Sequence, residues 1–361
     1  MTDGLDRAVE AGRRAGALDT HRRAGYTVTL LDWGDRVVRR LDGVTGGSVT
    51  LSSSTRLRAS GNLTLTQACG PIDWTSQRVR IDYTANDASW GLGVFLLSAP
   101  TRSYNGAGSG WSVDLSSPLL VPDSDCVDST FTVKAGSNLV DFAADILYET
   151  GLERLSITPS SAVAASDMIY DPGKSKLTIV NELLAAAGYQ SAYPDGVGLV
   201  HLDPYTRPAA RSVVYDFREG ARAIHLPEWE REEDTAGVPN KVVFVSQGSA
   251  DQAALVGVAV NDDPSSPYSY QSRGRWIVET RTGVEAVDQE SITAQARRRL
   301  IDVSTPSAAI SLQHMAVPIM PNQVVGFTSQ GHAAKGVVKE IEYSLDPTSL
   351  VKTKLLEVTS L

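Results

Sequence analysis

The chain has 361 residues, 42% of them hydrophobic and 21% charged, which is ordinary for a globular protein and enough for two or three domains with large cores. Its formal net charge of -9 argues against a protein whose main task is to grip nucleic acid, because that needs a basic patch to neutralise phosphates. Two cysteines, Cys69 and Cys126, are too few for a disulfide framework and wrongly arranged for a zinc site, so structural thiols of a reducing cytosol are expected.

Residues 1–25 form an arm rich in Ala, Arg and Gly, in which Arg7, Arg13, Arg14, Arg22 and Arg23 alternate with Asp3, Asp6, Glu10 and Asp19. It has no apolar centre and is not a secretory signal. It is read as either a frayed terminus or a docking arm for a neighbouring subunit. No apolar run in the chain approaches the ~20 residues of a membrane-spanning helix.

From Tyr26 the apolar residues recur at every second position. Runs at 26–31 and 36–41 flank a turn at Trp33, Gly34 and Asp35, and further runs follow at 47–51, 61–67, 78–83, 91–98 and 110–115. Several short strands at close spacing predict one all-β domain over 26–127, a sandwich or barrel. The glycine-dense segment 105–110 lacks the Lys and Ser/Thr of a phosphate loop and is expected to be a hairpin loop.

The period changes at 128–208. A helix is expected from Ser137 as cap, with Leu139, Phe142, Ala143, Ile146 and Leu147 on one face and Gly151 as its stop. A second starts at Ser175, carries Leu177, Val180, Leu183, Leu184 and Ala187, and ends at Gly188. A hairpin follows: residues 189–193, a turn at Pro194, Asp195 and Gly196, and a strand at 199–202.

Strand character returns in 209–361, with runs at 212–217, 241–246, 254–260, 309–314, 323–328, 336–343 and 352–358. The acidic stretch Glu228, Glu230, Glu232, Glu233 and Asp234 is expected to be a solvated face or loop, and 261–267 a loop without the spacing of a calcium site. A third helix is placed at about 288–301, capped by Asp288, with Arg297, Arg298 and Arg299 complementing the negative end of its dipole.

The run 175–189, followed by Asp195 and Gly196 and then by Leu202, Asp203, Pro204 and Tyr205, resembles a segment of phage tail hub proteins. The looser patterns at 139–147, 258–264, Gly274 with Arg275, 320–325 and 345–347 are similar to the same family, in the same order along the chain. That resemblance, to siphophage tail-tip hubs related to late control D-type and tail tube folds, implies a mainly β chain with an α+β insertion. Two tail-tube-like β-barrel or sandwich domains would flank a helix, helix, hairpin module. It implies a homotrimer whose pseudo-six-fold ring joins the tail tube or distal tail protein to tip or fibre proteins. DNA would pass through the lumen without specific binding. The expected place is the virion tail tip, after synthesis in the host cytoplasm.

Nothing in the sequence points to catalysis. His21, His201, His225, His314 and His332 are scattered without metal-site spacing, and His201 and His314 lie in strand-like runs where a hydrogen-bonded histidine is the usual finding. No nucleophile elbow occurs. Among 42 acidic residues a pair suited to sugar chemistry is unreadable. The chain is therefore read as non-enzymatic, with no catalytic, cofactor or metal residues, and its end at Leu361 without a further domain weighs against an attached lysin. Trp74, Trp90, Trp111, Tyr83 and Tyr104, concentrated in the first β-domain, fit either packing or a sugar platform. A glycan-binding protein of the tail tip is thus the alternative function, and a cell-wall hydrolase a third.

Overall fold

Period-two patterning in the sequence becomes one large sheet in the computed structural model, which describes residues 22–358 except 105, 107, 234–235, 247–252, 285–288 and 304–307. Most of the expected arm, and Asp288 as a helix cap, lie outside the described residues. The chain divides into two units, Met1–Trp229 with Ser311–Leu355, and Glu230–Ile310 with Leu356–Leu361.

In the first unit, β1 (Ala24–Leu31), β2 (Val37–Arg40), β3 (Val44–Ser52), β4 (Ala59–Thr66), β5 (Arg78–Ala85), β6 (Ala88–Tyr104) and β7 (Ser109–Ser116) come from the first all-β stretch. They pair antiparallel in the order β2, β1, β5, β6, β7, β4, β3. Alternation decides which face is covered: in β4, Ala59, Leu63 and Leu65 are buried while Ser60, Thr64 and Thr66 are exposed. The end of β6 departs from this pattern. Ala99, at φ 47°, interrupts the ladder with β7, and Thr101 to Tyr104 continue as an exposed hairpin arm.

The module begins with α1 (Leu120–Ser124) and β8 (Phe131–Val133), then α2 (Leu139–Glu149) and β9 (Leu155–Ile157). It continues through β10 (Met168–Tyr170), α3 (Lys176–Ala186), β11 (Tyr193–Pro194) and β12 (Val200–Leu202). The cap of α2 is Asn138, one residue later than the expected Ser137. Its Oδ1 accepts from the backbone N–H groups of Val140 and Asp141 at 3.0 and 3.2 Å, and its amide donates to the Ser160 carbonyl at 2.7 Å. The side chain thus uses its oxygen for the helix end and its N–H group for the 160 loop. Ser175 caps α3 as expected, accepting from Thr178 N–H at 3.2 Å. Leu139, Val140, Ala143, Ile146 and Leu147 of α2 share a core with Leu177, Val180, Leu183 and Leu184 of α3. β12 pairs antiparallel with β11 and parallel with β9.

The remaining strands are β13 (Val213–Arg218), β14 (His225–Glu233), β15 (Lys241–Ser246), β16 (Val256–Val260), β17 (Val278–Val284), β18 (Ala308–His314), β19 (Val324–Ser329), β20 (His332–Ser344) and β21 (Val351–Glu357). β3 pairs with β20, and from there the sheet continues through β21 and β18 to β14, with β19 and then β13 attached to β20. Among the described residues the sheet has three unpaired ends, β2, β14 and the branch end β13, so it is open where the sequence left a barrel possible. The acidic stretch as far as Glu233 is a strand, β14, with exposed side chains on either side of the half-buried Trp229, and Asp234 lies outside the described residues.

The second unit contains α4 (Tyr270–Arg273), and α5 (Gln289–Val303) laid on the sheet β16, β15, β17. Val242, Phe244 and Ala259 pack against Ile292, Ala296 and Leu300. Gly257 is required here, because a Cβ would sit 2.4 Å from the Ile292 carbonyl oxygen. The expectation that Arg297, Arg298 and Arg299 answer the helix dipole is not met: α5 runs on to Val303 and its last turn has no basic residue. Arg299 instead donates to Glu279 of β17 at 2.8 Å, where Arg281 also donates at 3.0 Å. Burial works against this carboxyl, and the two arginines together hold it below its ordinary value.

Leu183 is fully buried and Ile146 only 3% exposed, so Leu183→Asp or Ile146→Asp would place an unpaired charge in the module core. Either variant is expected to lose helical circular dichroism and solubility; unchanged spectra would contradict the packing of α2 on α3.

Candidate functional site

The turn between β11 and β12 reaches back to the sheet and touches β6. Gly91 and Gly196 meet backbone to backbone: a Cβ on Gly91 would lie 2.0 Å from the Gly196 carbonyl oxygen, and one on Gly196 2.1 Å from that of Gly91. Gly198, at φ +80°, sits against Val94 in the same contact. Beside this joint lies a cavity of about 790 Å³, whose wall includes Asp82, Trp90, Tyr193, His201, Arg211 and Asn322. A hollow and a polar cluster coincide here, and this is the candidate site.

The polar cluster is built on the hairpin. His201 is buried, its ring stacked on Tyr193 with centroids 5.1 Å apart. Its Nε2 is 3.2 Å from Asp195 and its Nδ1 is 3.6 Å from Asp203. Asp195 also accepts from the N–H groups of Val197 and Leu199, each at 2.9 Å, which shapes the turn. Burial opposes the Asp195 carboxylate, but His201 and these N–H groups hold it below its ordinary value. Asp203 accepts from the Tyr193 hydroxyl at 2.8 Å and from Thr158 Oγ1 at 2.7 Å. Burial, and then Asp203, push the Tyr193 phenol well above its usual range. The side chains of this cluster are donors and acceptors to one another. Their visible work is to fix the hairpin, since His201 faces a carboxylate through each nitrogen and no hydroxyl or thiol stands against it as a nucleophile would.

A second charged cluster anchors the other side of the joint. Asp35, in the β1–β2 turn at φ 60°, receives Arg78 at 3.2 Å and Arg154 at 3.1 Å, and Arg154 also donates to the Val197 carbonyl at 2.9 Å. The Asp35 and Arg78 side chains are only 8% and 5% exposed, and Trp33 covers the Arg78 guanidinium at 4.1 Å. The sequence presents this segment as an ordinary turn, with no sign that its aspartate pairs across 119 positions with Arg154.

The other expected residues lie elsewhere. His314 is fully buried, with Nδ1 2.8 Å from the Met315 carbonyl and Nε2 2.8 Å from Thr353 Oγ1. His225 is buried and His332 stacks on Trp229 at 5.3 Å, while His21 is outside the described residues. The aromatic group splits. Tyr83 and Trp90 are core, 4.8 Å apart, whereas Trp74 and Trp111 pair at 5.2 Å near the surface, where Arg102 lies between Trp111 and the 72% exposed Tyr104. Both cysteines are free, Cys69 buried and Cys126 exposed.

Gly91→Ala or Gly196→Ala is expected to cost about 1–3 kcal/mol by overpacking the joint, whereas Gly46→Ala, with nothing within 4 Å of its Cβ, should cost far less. Urea unfolding of the three variants checks this. For His314, burial lowers the pKa from 6.5 to about 4. The unfolded chain then takes up the proton first, so this contribution to stability is whole above pH 6.5 and is lost as pH falls towards 4. His314→Asn should give a shallower fall of the urea midpoint over that window.

No family model matches the sequence, and no curated protein matches it. Solved structures do. The tail protein from Neisseria meningitidis MC58 is similar over 92% of this chain and 97% of its own, with TM-score 0.66 and 13% identity. The 43 kDa tail protein of prophage MuSo2 from Shewanella oneidensis is similar over 92% and 98%, with TM-score 0.62 and 12% identity. The E. coli c3393 protein is a type VI secretion component with structural similarity to the T4 tail proteins gp27 and gp5. It is similar over 88% of this chain and 74% of its own, with TM-score 0.53 and 10% identity. What these likenesses show is the fold, and the chain is built on the phage tail protein fold that its sequence resemblance to tail hubs implies.

Proposed function

We propose that this chain is a structural virion protein, a phage tail hub whose copies form a ring joining the tail tube to the tail tip and letting DNA pass at ejection. The observation that carries the reading is the extent of the likeness: 92% of this chain is matched by 97–98% of two tail proteins, so the shared fold is a whole architecture rather than one module. The polar groups of the candidate site are consistent with it, being engaged in holding the hairpin to the sheet. In this reading the chain is not an enzyme and needs no cofactor or metal.

The finer features follow the sequence resemblance. Two tube-like β-domains, 26–127 and 209–361, would flank the module at 128–208 in a homotrimer with pseudo-six-fold symmetry. The tube or distal tail protein would sit on one side and tip or fibre proteins on the other, at the virion tail tip, after synthesis in the host cytoplasm. An acidic surface, with net charge -9, suits a wall that DNA slides past. Buried apolar area at ~25 cal/mol per Å² would supply most of the assembly free energy.

Native mass spectrometry of the concentrated protein, together with negative-stain images, tests this. A trimer with a ring outline and a central hole is the expected result. A monomer that stays monomeric when tail partners are added would overturn the reading.

A further inference from the structure

Among the described residues three strands of the large sheet have a hydrogen-bonded strand on one side only, β2, β13 and β14. A sheet edge of this kind offers a row of unpaired backbone groups to another chain unless it is short, covered or charged against its own kind. Two of these edges, β2 and β14, are charged, with opposite signs. At β2 and the turn before it, Arg36, Val37, Val38 and Arg40 are exposed, Val37 at 63% and Val38 at 48%, while Arg39 is turned back to the carbonyls of Cys69 and Pro71 at 2.6 and 2.9 Å. At β14, Glu228, Glu230 and Glu232 are exposed at alternate positions. Arg231, on the opposite face of that strand, is engaged with Glu233 and Glu357.

Two β2 edges brought together would set arginine against arginine, and two β14 edges glutamate against glutamate; like charges directly opposite are destabilising. β2 against β14 sets the arginines against the glutamates. The charges therefore disfavour the symmetric contacts and favour the head-to-tail one. Pro227, which cannot donate, limits pairing to the part of β14 beyond it. We propose that β2 of one copy of this chain pairs with β14 of the next, and that this heterologous edge contact is the joint through which copies assemble. It rests on the proposed assembly of copies and names the surfaces that carry it. A head-to-tail contact closes into a ring if its rotation permits and otherwise grows into a filament.

The test uses the full chain with Cys126→Ser, which removes the exposed thiol. Sedimentation velocity is measured for this parent, for Arg36→Glu with Arg40→Glu, for Glu228→Lys with Glu230→Lys, and for all four changes in one chain. Each two-residue reversal is expected to weaken association about tenfold or more, and the four-residue chain to recover it. Circular dichroism should be unchanged in all of them, since these side chains are exposed. Val38→Cys with Glu230→Cys is then treated with a short bismaleimide, and covalent multimers are expected.

The outcomes separate the two ideas. A parent ring that survives both reversals and gives no crosslink overturns the edge contact and leaves the ring reading standing. Crosslinked filaments without rings support the edge contact and overturn the ring. Parent chains that neither associate nor crosslink overturn both.

Discussion

The attachment of the module to the sheet depends on two backbones passing where no side chain fits. Gly91 and Gly196 leave no room for a Cβ on either partner, and a third glycine, Gly198, keeps the turn in a left-handed conformation against Val94. A contact of that closeness has one geometry, unlike a side-chain interface that can repack. The charged groups around it then act as guy lines. Arg154 reaches from the strand β9 region both to the turn carbonyl of Val197 and to Asp35, and Asp35 in turn holds the buried Arg78. Burying such charges is costly and only good geometry offsets it, so the cluster gives position more than net stability.

The same logic explains why the candidate site looks chemically rich and is chemically quiet. An imidazole between two carboxylates is a familiar catalytic ingredient, but Asp195 already closes the turn through Val197 and Leu199 and Asp203 is bound by Tyr193 and Thr158. The network is satisfied from within. A satisfied buried network rigidifies a hairpin that the sheet contact alone would locate only at its tip.

Much of the architecture was legible because it follows from local periodicity. The two module helices, most strands and the Ser175 cap came from spacing and punctuation that any solvent-facing element must show. What escaped was set by distance in the chain or by shortness. β8, β9 and β10 have three residues each and no period to read. Ser137 has the residue type of a cap, but Asn138 takes that place with a further bond to the distant Ser160. Arg299 answers to Glu279 twenty positions away, which outranks the dipole rule. Gly91 and Gly196 each sat in a plausible strand or turn, and only their meeting shows why neither could be another residue. For the site as a whole, residue types were visible and their convergence was not.

The pairing of β3 with β20 has a consequence for how the chain is made. Ser52 lies opposite Glu340 and Ser48 opposite Ser344, so a strand made early finds its partner only near the end of synthesis. At ~5–20 residues per second, β3 would emerge roughly 15–60 s before the strand that covers its edge. Pairings this far apart in sequence form late and slowly. In the interval a nascent chain presents an apolar, half-built sheet to its surroundings. A cell producing many copies at once would need either chaperones on those chains or spacing between ribosomes on the message to keep unfinished sheets from finding one another.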